Sequence, residues 1–206
     1  MPRSKSSNNW LREHFDDYWV KLSQEKGYRA RSAFKLEELH EKDNLLSNVS
    51  NIVDLGCAPG GWCQVARRIV PAQVRVIGLD ILPMEPIAGV EFIQGDFRES
   101  SVLKELLLVV NSAKIDLVLS DIAPNLSGMP AVDQPRIMYL AELALDFCHQ
   151  CLKPNGNYAV KLFQGAGFDE YIQQLRNSFH KVIMRKPKAS RARSREVYAV
   201  AISYKG

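Results

Sequence analysis

From Asn51 onward the chain alternates short β-branched runs with helix-like stretches, and that alternation constrains the fold more than any other feature. Asn51–Leu55, Val74–Leu79, Val90–Ile93, Ile115–Ser120 and Tyr158–Phe163 read as strands. Gly61–Val70, Val102–Val110, Gln134–Leu152 and Asp169–Phe179 read as helices, with Pro154-Asn155-Gly156 as the turn that closes the third. Strands separated by helices make βαβ units and a mostly parallel sheet. The last two runs, Lys181–Met184 and Val197–Ser203, have no helix between them, which predicts an antiparallel finish. The expected fold is α/β and Rossmann-like, with seven strands and helices on both faces.

Upstream, a polar lead over 1–9 precedes a helical segment over 10–42, for which Ser32 is the candidate N-cap. Residues 51–206 form the expected catalytic core, so 1–206 reads as one domain. With 206 residues the chain can bury a core without staples, and four cysteines are too few for a disulfide scaffold. No apolar run approaches the roughly 20 residues of a membrane span. Met1–Asn9 lacks the apolar stretch of a signal peptide, so a cytoplasmic protein is expected.

Ligands of open α/β sheets bind beyond the strand C-termini. Here those ends carry Gly56, Asp80, Asp96, Asp121 and Lys161, a set hard to explain as solvated surface. The first turn, Asp54-Leu-Gly-Cys-Ala-Pro-Gly-Gly-Trp62, follows a strand and opens a helix, as nucleotide-binding turns do. It lacks the Gly-Lys-Ser/Thr of a P-loop and the G-x-G-x-x-G that wraps a dinucleotide pyrophosphate. Asp80 stands where an acid accepts from ribose hydroxyls, and Asp96 is placed to take an exocyclic amine. An adenosyl ligand with an amino-acid tail fits this set, and S-adenosylmethionine is the common one.

Charge is unevenly spread. Met1–Lys35 holds 8 Lys/Arg against 4 Asp/Glu, a net +4, and Lys181–Gly206 holds 8 against Glu196 alone, a net +7. The stretch between carries −7 within a chain total of +4. Basic ends around an acidic centre suit an anionic partner, nucleic acid first. Lys5, Arg12, Lys26, Arg29 and Arg31 at the head, and Lys186, Lys188, Arg191, Arg193 and Arg195 at the tail, are the candidate phosphate contacts. Trp10, Tyr18 and Tyr28 are candidates for base stacking. Trp19 reads better as core packing.

Five words of the sequence together resemble the FtsJ/RrmJ family of S-adenosylmethionine-dependent ribosomal RNA 2′-O-methyltransferases. They are the Asp54–Trp62 turn, Asp80-Ile-Leu-Pro-Met84, Gln94-Gly-Asp-Phe-Arg98, Asp121-Ile-Ala-Pro-Asn-Leu-Ser-Gly128 and Ser190-Arg-Ala-Arg-Ser-Arg-Glu196. The similarity runs from about Trp10 to the C-terminus and is nearer to the bacterial ribosomal branch than to viral cap-methylating relatives. Cys57 stands where the family word has alanine, small in either case. The resemblance implies a Lys35–Asp121–Lys161–Glu196 catalytic tetrad. It implies S-adenosylmethionine as cofactor, held by Gly56, Gly60, Trp62, Asp80, Asp96 and Asp121. It implies a uridine of the large-subunit (23S) A-loop as target, free or in the 50S particle, and a monomer with no obligate protein partner.

Such chemistry explains the residue types. A ribose 2′-hydroxyl is a weak nucleophile, so oxygen, methyl carbon and sulfur must be aligned and the proton removed. Lys161 is the candidate base or steering group, with Asp121 aligning it and Lys35 and Glu196 holding the ribose and its phosphate. Competing readings are a transfer-RNA or cap methyltransferase, a nicotinamide oxidoreductase, a base methyltransferase and a non-catalytic RNA-binding assembly factor. The oxidoreductase lacks its fingerprint, and amine methylation lacks its Asn/Asp-Pro-Pro-aromatic loop. Cys148-His149-Gln150-Cys151 resembles a metal pair, but its cysteines share an apolar helix face with Ala144 and Phe147, so no metal is expected.

Overall fold

A computed structural model describes residues 17–110, 114–191 and 193–206. The lead over 1–9, the start of the expected first helix, Lys5, Trp10 and Arg12 lie outside the described residues.

The N-terminal helical segment is two helices, α1 (Tyr18–Glu25) and α2 (Ala33–Asp43), parted by a bend that Gly27 makes at φ +66. Asp17 caps α1 by accepting from the Trp19 N–H at 3.0 Å. Ser32 is the N-cap residue of α2, but its hydroxyl makes no capping bond.

After them come β1 (Asn51–Leu55), α3 (Gly61–Ile69), β2 (Arg75–Asp80), β3 (Val90–Gln94), α4 (Ser100–Val110) and β4 (Ile115–Ser120). The chain finishes with α5 (Pro130–Cys151), β5 (Leu152–Phe163), α6 (Phe168–Ser178), β6 (Phe179–Arg185) and β7 (Glu196–Tyr204). The sheet order is β3-β2-β1-β4-β5-β7-β6. The first five strands pair in parallel, while β7 runs antiparallel between β5 and β6.

Period-two alternation sends strand side chains to two cores. Val53, Leu55, Val160 and Ala199 meet α4, α5 and α6 on one face. Ile52, Leu117, Ala159 and Tyr198 meet α2 and α3 on the other. Parallel strands covered on both sides explain the near-continuous apolar runs.

Two boundaries differ from the sequence reading. Helix α5 begins four residues early, because Pro130 at its start needs no N–H partner there. Pro154-Asn155-Gly156 is no closing turn: β5 starts directly at Leu152, opposite Ile115, and the following residues form an irregularity before Asn157 pairs with Leu117. Cys148 and Cys151 are buried in the apolar core beside Phe147, as their helix face suggested. Among the described residues no helix is long and apolar enough to cross a membrane.

Candidate active site

The strand C-termini place the site. Gly56 continues β1, and its N–H donates to the Leu79 carbonyl at 2.8 Å, which folds the turn onto β2. Its φ of +78 is natural only for glycine, and a Cβ there would meet Ile122 at 2.7 Å. Gly60, at φ +111, caps α3; a Cβ on it would strike Ile87 at 2.7 Å and press on Met84 Sδ at 3.0 Å. These two glycines shape a tightly packed backbone cradle at the start of α3, whose first N–H groups have no intrahelical partner.

Asp80 holds the cradle's far wall. Its Oδ2 accepts from the Ala58 N–H at 2.9 Å and its Oδ1 from the Leu82 N–H at 2.8 Å, leaving lone pairs for hydroxyls. Asp96 is gripped by the Arg98 guanidinium, which keeps its carboxyl below the usual range and anionic. The Trp62 ring is buried, donates from Nε1 to the Ser32 carbonyl at 2.8 Å, and packs on Tyr198 at 5.8 Å between centroids. Its indole supports the wall from behind, so what it can offer a ligand is backbone.

Asp54, which the sequence reading did not single out, lies beneath this turn. Its side chain is buried, Oδ2 accepts from Cys63 Sγ at 3.2 Å, and Oδ1 has no partner among the described residues. Burial pushes its pKa up to about 7 against the Cys63 bond, and the Asp121 and Asp80 carboxylates add to the rise. An orphaned buried acceptor beneath this turn fits a cationic ligand with donors.

The four tetrad positions converge from four elements. Lys35 comes from α2, Asp121 from the end of β4, Lys161 from β5 and Glu196 from the start of β7. Lys35 Nζ lies 2.6 Å from Glu196 Oε1, and Lys161 Nζ lies 3.0 Å from Asp121 Oδ1. The Lys161 ammonium also donates to the Asp121 backbone carbonyl. Both lysines are buried.

Tyr198 joins the two pairs. Its hydroxyl donates to Asp121 Oδ1 at 2.7 Å and accepts from Lys35 Nζ at 3.0 Å. Burial raises this phenol, and the Asp121 and Glu196 carboxylates raise it further, so it stays a neutral donor. Burial alone would also raise Asp121, but the Lys161 and Lys35 ammonium groups and the Tyr198 hydroxyl hold it below the usual carboxylate range. Strand alternation could have found Tyr198, since it lies two residues from Glu196 on the same face.

The first turns of α5 were missed as well. Asp133 accepts from the Ser127 N–H at 2.8 Å, the Ser127 hydroxyl at 2.8 Å and the Gly128 N–H at 2.9 Å. Gln134 Nε2 donates to the Phe163 carbonyl at 2.9 Å and the Ala166 carbonyl at 3.2 Å. Neighbouring side chains thus pin the loops after β4 and β5, the two that carry Asp121 and follow Lys161.

The basic residues divide. Arg29 is a staple: its guanidinium donates to the Pro59, Glu85 and Pro86 carbonyls and ties the head of the chain to the cradle. Arg31 and Arg191 both face Asp17 Oδ2. Arg193 and Arg195 are exposed on the loop before β7. Tyr28 is buried, donates to Glu37 and lies under the Arg68 guanidinium, which rules it out as a free stacking platform. Trp19 packs on Phe34 at 5.2 Å, whereas Tyr18 is exposed.

The sequence pattern of FtsJ-like methyltransferases matches residues 28–204. A solved structure from Plasmodium falciparum, assigned as a ribosomal RNA methyltransferase, is similar over 87% of this chain and 100% of its own. The two share 33% sequence identity and superpose with a TM-score of 0.76.

Proposed function

The chain belongs to the FtsJ-like methyltransferase family, and on that premise we propose that it transfers the methyl group of S-adenosylmethionine to a ribose 2′-hydroxyl of large-subunit ribosomal RNA. The target we propose is a uridine of the 23S A-loop, modified during ribosome maturation by a cytoplasmic, monomeric enzyme. The observation that carries this reading is the buried Lys35–Glu196 and Lys161–Asp121 pairs, linked through one phenol at the mouth of the cradle.

When bound, S-adenosylmethionine supplies an activated methyl on a cationic sulfonium. Gly56 and Gly60 would let it approach the backbone, Asp80 would accept from its ribose hydroxyls, and Asp96 would take its base amine. Asp121 gives the site negative charge that would suit the cation, and Asp54 adds a buried acceptor. Lys161 Nζ, fixed by the Asp121 carboxylate and carbonyl, orients the 2′-hydroxyl, and in its neutral amine form it takes up the proton that the oxygen loses. Lys35, held by Glu196 and Tyr198, positions the ribose from the other side. Proximity then does much of the work, since alignment alone is worth several kcal/mol in such reactions (roughly 7–11 for well-oriented pairs).

The test offers labelled S-adenosylmethionine and undermodified 50S particles to the protein and maps the product. A 2′-O-methyl on a 23S uridine is expected; label only on base atoms, or only on transfer RNA, overturns the reading. Lys161→Ala is expected to slow transfer by roughly 10²–10⁴-fold with cofactor binding retained. Near-normal transfer by that variant sinks the role given to Lys161.

A further inference from the structure

Two arginines from opposite ends of the chain meet at one carboxylate oxygen beside the tetrad. Arg31 Nη1 lies 2.5 Å from Asp17 Oδ2, and Arg191 Nε lies 4.0 Å from the same atom. The other oxygen, Oδ1, caps α1. All three side chains keep partial exposure, 11% for Asp17, 20% for Arg31 and 24% for Arg191, so a solute can reach them. The cluster adjoins the catalytic groups. Ser190, next to Arg191, donates to Glu196 Oε1 at 2.8 Å, the oxygen that also holds Lys35. Arg31 lies in the turn that leads into α2, four residues before Lys35, and its charge is felt at Tyr198.

We propose that Arg31 and Arg191 form the binding site for the phosphodiester adjoining the reacting ribose, and that Asp17 Oδ2 holds the phosphate's place until RNA displaces it. The inference rests on the 2′-O-methyltransferase reading above. A ribose 2′-hydroxyl and its 3′-phosphate are borne on neighbouring carbons, so a site that seats one must accommodate the other a few ångströms away. Guanidinium groups bind carboxylate and phosphate oxygens with the same geometry, and the further backbone contacts of a bound strand tip the exchange toward phosphate. Capping α1 needs only Oδ1, which leaves the convergence on Oδ2 without a structural task that requires both arginines. The exchange also couples seating of the backbone to release of the head of the chain from the tail loop.

Asp17→Asn tests this cleanly, because asparagine is an equally good N-cap and takes away the anionic oxygen that faces the two arginines. Binding of a labelled 23S fragment containing the A-loop is measured across a salt series, alongside thermal melting and S-adenosylmethionine binding. Asp17→Asn is expected to tighten RNA binding about fivefold, the scale of one partly exposed ion pair. Arg31→Ala and Arg191→Ala are each expected to weaken it and to lower the salt slope by about 1. Unchanged or weaker binding by Asp17→Asn, with melting and cofactor binding intact, overturns the proposal. So does an Arg191→Ala variant with an unaltered salt slope. If the unaltered protein methylates no ribose, the parent reading fails; if it does and Asp17→Asn binds no tighter, only the phosphate site fails.

Discussion

Tyr198 shows how much a single side chain can organise. One hydroxyl contacts both halves of the tetrad, so Tyr198→Phe removes the bridge while leaving the ring against Trp62. Lys35 and Asp121 would each lose a buried partner, which costs about 1–3 kcal/mol of stability. Denaturant unfolding should read that loss, and single-turnover transfer should slow by roughly 10- to 100-fold because both lysines lose a fixed bearing. At this scale the tetrad was legible in the sequence through its local words: Lys35, Asp121, Lys161 and Glu196 do come together. Tyr198 went unnoticed: alternation puts it on the face of Glu196, but an apolar-strand tyrosine carries no mark of what lies opposite its hydroxyl. Arg29 was misjudged for the same reason. Its charge suggested RNA, whereas its guanidinium is occupied by three carbonyls of the cradle.

Helix α5 shows what an element contributes that no single motif does. Its N-terminal turns deliver Asp133 and Gln134 to two different loops at once, so the spacing between the β4 and β5 strand ends is set by one rigid body. Asp133→Ala frees Ser127 and Gly128, and the loop that carries Asp121 loses its anchor. Hydrogen exchange at Ser127 and Gly128 should accelerate, and kcat should fall by roughly tenfold with the cofactor's affinity little changed. Equal protection in the variant would show that the loop is held by something else. The start of this helix was placed four residues late in the sequence reading, which is why Asp133 was not considered. Pro130 suits the true start, because a proline in the first turn lacks only an N–H that has no partner there.

For the whole molecule, Asp54 couples the site to stability. In the unfolded chain its carboxyl titrates near the ordinary value of about 3.9, and in the folded protein burial moves it to about 7. Between those values the folded state holds the extra proton, so Asp54's contribution to stability falls as pH rises and is constant above both. The slope reaches roughly 1.4 kcal/mol per pH unit, and Asp54→Asn should flatten it. Unfolding free energies at pH 5, 6 and 8 for the two proteins check this; parallel curves would place the titration elsewhere. Asp121 has the opposite sign: its depressed pKa stabilises at neutral pH and is lost as pH falls through the acidic range. The +4 and +7 ends around a −7 centre read, at this scale, as two opposed binding tasks. RNA affinity should accordingly fall steeply with salt.

The sequence alone determined the βαβ order, the mostly parallel sheet and the strand ends at which the candidate site residues gather. Those are local matters, written in hydrophobic period, in glycines at turns and in motif words. Only the tertiary structure decided that β7 slips between β5 and β6, which sets Glu196 opposite Phe163 and Tyr198 opposite Lys161. Insertion of an antiparallel strand is a choice of partner, not of conformation, and no residue within β7 encodes its neighbour. The same holds for the meeting of Asp17, Arg31 and Arg191: charge composition supplied the groups, and the packing of head on tail chose which of them face one another.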